Sequence, residues 1–304
     1  MYYVKRLLFM LPLLIFISLL AFMLMHAAPG GPFDRDRKPA SPEIERNIRA
    51  KFHLDEPIWK QYLRYLGDLV RGDFGPSMKY RNHSVNDIIR QGLPVSMTLG
   101  LLAFCFAQGI GIPLGFYSAI RRGRWGDYIG SFLAILFVCV PGFVVAPLLI
   151  MGFAIHWKLL PAALWESPQH AILPPIALGL YFSGKIARLM REGMLGTMHE
   201  GFITTARAKG LSETAVFVKH AFRLAVLPVV SYSGPLLADL LTGSFVVENI
   251  FQIPGIGVFV VNSMQNRDYT MGVGLVVLYA VLLLVMNLLV DFSYSVLDPR
   301  VKYE

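Results

Sequence analysis

The chain has 304 residues, of which 55% are hydrophobic and 16% charged, with a formal net charge of +8 and a mean hydropathy of +0.54. A soluble fold would expose too much of that apolar surface, so length here counts membrane helices and not water-soluble domains. The basic residues sit between apolar blocks, where they orient a protein in a bilayer, and they line no soluble face of the kind a nucleic-acid partner requires.

In chain order, Leu7 to Ala28 runs 22 residues without a formal charge after Lys5 and Arg6. That exceeds the roughly 7 to 15 apolar residues of a signal-peptide core, and Pro29 follows the small pair Ala27 and Ala28, so residues 1–28 are read as an uncleaved first span. Residues 29–93 form an extracytoplasmic segment that opens with the turn-rich Pro29, Gly30, Gly31 and Pro32. Inside it, Pro57 suits a first helical position and Gly72 a C-terminal cap, while Trp59, Leu63, Leu66 and Val70 recur at helical spacing. Two placements fit this helix. It lies along the outer interface with Trp59, Tyr62 and Tyr65 at headgroup depth, or it packs on the outer ends of the spans.

Residues 91–120 and 128–157 carry no charge and predict spans two and three. Ser167 to Gly184 predicts span four, lengthened by Lys185 and Arg188 snorkelling their heads to the interface. Leu224 to Val247, which holds only Asp239, and the uncharged stretch Tyr269 to Val290 complete six spans. Residues 94–293 thus form a five-helix core with a cytoplasmic loop at about 188–223, followed by a tail at 294–304. Counting Lys and Arg in short segments gives fourteen on one side against two, Lys158 and Arg267, on the other, which predicts both termini in the cytoplasm.

Gly111 and Gly115 form a G-x-x-x-G pair beside Gly109 and Pro113 and predict close helix contact, while Pro141, Gly142 and Pro147 loosen span three. Asp239 is the one formal charge well inside a span, at a cost on the order of 2.5 to 3.5 kcal/mol on insertion scales. It either faces a water-filled path or serves as a buried structural hydrogen-bonder. The loop from Arg188 to Arg223 predicts a helix through Phe202, Ala206 and Lys209, a stop at Gly210, and a second helix capped by Ser212 and carrying Glu213 to His220. Two short helices around a glycine make a knob that another protein could receive.

Gly179, Gly184 and Lys185 match part of a phosphate-binding loop, but Ile186 stands where a Ser or Thr must ligate magnesium, and the stretch ends a hydrophobic span. The seven histidines show no metal-ligand pairing, and Cys105 and Cys139 lie deep in apolar blocks. No catalytic residue, metal or cofactor is expected of this chain.

The run Phe202, Ile203, Thr204, Thr205, Ala206, Arg207, Ala208, Lys209, Gly210, Leu211 resembles the coupling motif of bacterial ABC importer permeases. Its T-A-R-A-K-G-L form is similar to that of the di- and oligopeptide permease family, and Ser84-Val85-Asn86-Asp87 looks most like its B-type subunit. Thr204 and Thr205 stand where the general motif has Glu and Ala, so an ion pair made by that Glu does not carry over. Further pieces agree in order: Ala28-Pro29-Gly30; Gly72-Asp73-Phe74-Gly75-Pro76-Ser77; Glu248 ahead of Ile253-Pro254-Gly255-Ile256-Gly257; Asn266-Arg267-Asp268-Tyr269; and Leu297-Asp298-Pro299-Arg300.

The resemblance implies an all-α type I importer permease in the bacterial inner membrane. It would pair with a second homologous permease subunit and be driven by two cytoplasmic ATPase subunits, with an extracytoplasmic peptide-binding protein delivering the peptide. Thr204 to Leu211 would couple to the ATPases, and Asp239 and Glu248 are candidates to line the pathway. Importers of dipeptides, nickel or antibiotic peptides stay open within the family. A secondary transporter would need further acids or an inverted repeat, and an intramembrane enzyme a nucleophile with its base, and neither set is visible.

Overall fold

The computed structural model of the chain describes residues 2–27, 50, 52–80 and 83–297, and apart from an isolated bridge between Pro76 and Ser84 its regular elements are helical. The turn at Pro29 to Pro32, Ala28-Pro29-Gly30, Asp298-Pro299-Arg300 and most of the tail lie outside the described residues. The helices are α1 (Tyr2–Ala27), α2 (Ile58–Val70), α3 (Val85–Ile120), α4 (Trp125–Cys139), α5 (Gly142–His156, π-helical from Ile150), α6 (Leu173–Thr197) and α7 (Gly201–Ala208). They continue with α8 (Glu213–Ala225, π-helical over Val216–Ala221), α9 (Leu227–Leu241), α10 (Phe245–Ile250), α11 (Gly257–Asn266) and α12 (Tyr269–Leu297).

Among the described residues three stretches, Leu8–Ala27, Val85–Ile120 and Tyr269–Leu289, are long and apolar enough to cross a membrane, and two bent helix pairs raise the number to five if each pair is one span. The remaining expected span, span four, corresponds to α6, which is 25 residues long and at about 1.5 Å per residue suffices to span hydrocarbon. Lys185, Arg188, Arg191 and Glu192 along it keep it out of that number.

The expected third span is not one rod. Val140 is extended at φ −89° and ψ 114°, as the residue before a proline favours, and α4 meets α5 across Pro141 at 99°. Span five also departs from expectation. Pro228 removes a backbone donor and crowds the preceding turn, bending α8 against α9 by 47°. The helix then stops at Leu241 with Gly243 at φ +87°, so Val247 belongs to the separate short helix α10. Span four starts late, at Leu173, after a 3₁₀ turn over Pro168–Ala171.

The chain divides into two compact units. The first takes the described residues of 2–94 and 255–284. In it α2 packs on α1: the Tyr62 hydroxyl donates to the Ile15 carbonyl at 3.0 Å and shares a 2.9 Å hydrogen bond with Ser18, and the Phe22 ring lies 5.4 Å from Tyr62 and 6.2 Å from Tyr65. Tyr62 and Tyr65 therefore face α1. Trp59, Leu63 and Val70 stay on its exposed face. This arrangement buries the tyrosine rings beside Ala21, Val273 and Val277.

The second unit takes the described residues of 95–254 and 285–297, and α6 is its centre. An added Cβ at Gly111 would meet Ile186 Cβ at 2.7 Å, and one at Gly115 would meet the Ala187 carbonyl oxygen at 2.1 Å, so α3 and α6 approach at backbone distance only because both are glycine. On the other side of α6, Arg191 holds the buried Asp127 of α4 bidentately at 2.7 and 2.9 Å. Ile186, Met190 and Met194, all fully buried, continue into a cluster with Ile203, Ala206 and Val216. The loop helix α7 is thus rooted in the same core as α6.

Candidate coupling loop and pathway residues

The loop after α6 is built as a helix, a left-handed turn and a second helix. In α7 only Ile203 and Ala206 are buried, while Thr204, Thr205, Arg207, Ala208, Lys209, Gly210 and Leu211 are exposed. The helix ends because Gly210 sits at φ +75°, a conformation that an L side chain adopts only at a cost of about 1 kcal/mol. Its amide donates to the Arg207 carbonyl at 2.9 Å, and the Leu211 amide reaches the Ala206 carbonyl at 3.4 Å, which satisfies the helix end. Ser212 then caps α8 by accepting from the Ala215 amide at 3.4 Å. Arg207 and Glu213 clasp across the turn, Nε to Oε1 at 2.9 Å and Nη2 to Oε2 at 3.1 Å. The sequence reading missed this pair, since a spacing of six across a turn matches no helical rule. Nothing lies within 4 Å of an added Cβ at Gly210, so the tip of the knob is open.

Asp239 is exposed on α9, and among the described residues its carboxylate accepts no hydrogen bond; only its backbone carbonyl is used, by the Thr242 hydroxyl at 2.6 Å. Lys185 of α6 and Tyr232 of α9 lie within its electrostatic reach, and Tyr181 lies beside Lys185. The Lys185 ammonium stands 4.5 Å from the centre of the Tyr181 ring. Snorkelling toward the far end of span four was the expectation for Lys185. The side chain instead leans back one turn, as helical side chains tilt toward their N-terminus. The stretch from Gly179 to Lys185 is helical throughout.

Glu248 of α10 is fully buried and accepts from the Ser96 hydroxyl at 2.7 Å, while its backbone carbonyl accepts from the Ile253 amide at 2.8 Å. Among the described residues no cluster of three or more His, Cys, Asp or Glu is placed to hold a metal.

Residues 111–303 match the family described as the inner membrane component of binding-protein-dependent transport systems, and residues 1–100 match that component's N-terminal part. The chain belongs to this permease family. It is 44% identical over 301 residues to the oligopeptide transport system permease protein OppB of Haemophilus influenzae, covering 98% of each chain. It is also 44% identical to the dipeptide transport system permease protein DppB of Bacillus subtilis, covering 99% of this chain and 97% of that one. The oligopeptide permease OppB of Escherichia coli K12 is 43% identical over 303 residues and 98% of both chains. Among solved structures, a chain of the inward-facing MetNI methionine ABC transporter aligns with a TM-score of 0.59 at 16% identity, covering 69% of this chain and 96% of its own, which shows a shared fold. As a permease of this family the chain is a transport subunit of the inner membrane and not the subunit that hydrolyses ATP.

Sequence pieces of the permease family that lie far apart in the chain meet in the first unit. Asp268, fully buried, accepts from the Ser77 hydroxyl at 2.5 Å, the Met78 amide at 3.2 Å and the Lys79 amide at 3.3 Å, and it caps α12 through the Met271 amide at 3.1 Å. Asn86 holds the other side of the same loop, accepting from the Phe74 amide at 2.8 Å and donating to the Gly72 carbonyl at 2.6 Å. Ser84 and Asp87 cap the start of α3 at 2.7 Å. The Gly72 to Ser77, Ser84 to Asp87 and Asn266 to Tyr269 motifs are therefore one interlocked scaffold.

Proposed function

We propose that the chain is one permease half of an ATP-driven importer of peptides, with oligopeptides its first substrate class. It pairs with a second homologous permease subunit around one pathway, is driven by two cytoplasmic ATPase subunits, and receives its cargo from an extracytoplasmic peptide-binding protein. The observation that carries this reading is identity of 43 to 44% over nearly the whole chain to permeases of oligopeptide and dipeptide systems. In this reading six helices cross the membrane, with α6 as the fourth and both termini in the cytoplasm. Thr204 to Leu211 then faces the ATPases, and the exposed surface around Gly210 is the surface they grip. Closure of the ATPases rocks the spans through this knob. Asp239 lines the pathway, and Glu248, buried against Ser96 in this conformation, supports the wall behind it.

Gly210→Glu tests the coupling step, because it strains the turn and puts a side chain on the open tip. The variant is expected at wild-type level in the membrane and paired with the second permease, yet without ATP-dependent uptake, and with the ATPases lost on purification. Gly210→Ala should be milder. Normal uptake and normal ATPase co-purification in Gly210→Glu would remove this loop from the coupling path.

A further inference from the structure

Two opposite charges stand on neighbouring helices of the second unit and do not close on each other. Lys185 on α6 and Asp239 on α9 lie on helices that pack together, Lys185 drawn over the Tyr181 ring at 4.5 Å, and the two form no ion pair. Each has a tyrosine beside it on its own helix: Tyr181 one turn before Lys185, and Tyr232 two turns before Asp239. A charge facing lipid inside a span would cost about 2.5 to 3.5 kcal/mol. The Asp239 carboxylate is exposed without a hydrogen bond among the described residues, so what it faces must be water or a polar group.

The chemistry of the set narrows the ligand. A purely anionic or cationic cargo would call for one sign of charge, and a neutral one for neither. A cation and an anion held apart, each with an aromatic hydroxyl beside it, suit a molecule that carries both charges at a distance. Every unblocked peptide does so, whatever its side chains, through its α-ammonium and α-carboxylate. We propose that Tyr181, Lys185, Tyr232 and Asp239 form a site on the pathway wall that engages the charged termini of a peptide in transit, Asp239 taking the ammonium and Lys185 the carboxylate. This rests on the peptide-importer reading and adds to it a way of handling peptides of unrelated sequence.

The complete transporter, reconstituted in vesicles with its binding protein, separates the two readings through the uptake of trialanine, N-acetyl-trialanine and trialanine amide. Asp239→Asn should lower trialanine uptake about tenfold, the scale of one charge-assisted hydrogen bond, and leave N-acetyl-trialanine within about twofold. Lys185→Gln should lower trialanine and N-acetyl-trialanine and spare the amide. Both variants should assemble at wild-type level. Equal losses on all three peptides, unchanged trialanine uptake, or reduced assembly would overturn the proposal. If the wild type excludes both blocked peptides, the double exchange Lys185→Asp with Asp239→Lys must restore trialanine uptake lost in Asp239→Lys alone, and failure to restore it overturns the site. A wild type that takes up no peptide at all would instead sink the importer reading.

Discussion

Two aspartates in this permease have opposite surroundings. Asp268, in the first unit, is fully buried and accepts four hydrogen bonds, three of them from the loop at Ser77 to Lys79. Asp239, in the second, is exposed in the last turn of α9 and its carboxylate accepts none among the described residues. An acid whose lone pairs are all used is spent on folding, and one held open keeps its bonding capacity for something that arrives. Sequence cannot tell the two apart, because the difference lies entirely in what other segments bring to the carboxylate.

The sharpest way to break the contrast is to remove the buried acid. Asp268→Ala strands the Ser77 hydroxyl and three amides, and the loss is expected at about 3 kcal/mol, read as the fraction of protein that stays monodisperse in detergent after heating. Asp239→Asn should leave that fraction unchanged, and an equal loss in both variants would erase the distinction.

Asp127 tests an intermediate case. Its side chain is 8% exposed while Arg191 is 30% exposed, so Asp127→Asn should cost about 2 kcal/mol after allowance for solvent at the arginine. A cost as small as that of a surface pair would show that water already reaches this contact.

The Arg207–Glu213 clasp should have the smallest effect. With 42% and 57% of the side chains exposed, Glu213→Gln is expected to change stability by about 0.5 kcal/mol or less. A large loss would mean that the turn at Gly210 depends on the clasp and not on its backbone bonds.

Much of the fold was legible because its signals are local. Uncharged runs marked the spans, and Gly210 followed by Ser212 marked the helix, turn and helix of the loop, since a left-handed stop and an N-cap depend on adjacent residues. The 99° break at Pro141 was readable as a weak point but not as an angle, because packing around the break determines its direction. Lys185 beside Asp239, Asp127 with Arg191 and Asp268 with Ser77 were illegible, each joining residues more than fifty positions apart. The contacts of the α2 tyrosines were illegible for a related reason: an amphipathic helix shows which face is apolar, not whether lipid or protein covers it.

The loop around Gly210 is anchored inward by Ile203 and Ala206 of α7 and by Val216 and Ala221 of α8. Its remaining surface touches so little of its own chain that residues there can be exchanged without repacking the membrane core. Under the proposed coupling role, a shift in the shape of an ATPase would be answered by changes at Thr204, Thr205, Ala208 or Leu211 alone. On that proposal the knob is a modular connector, able to be refitted to a different motor while the helical core behind it stays as it is.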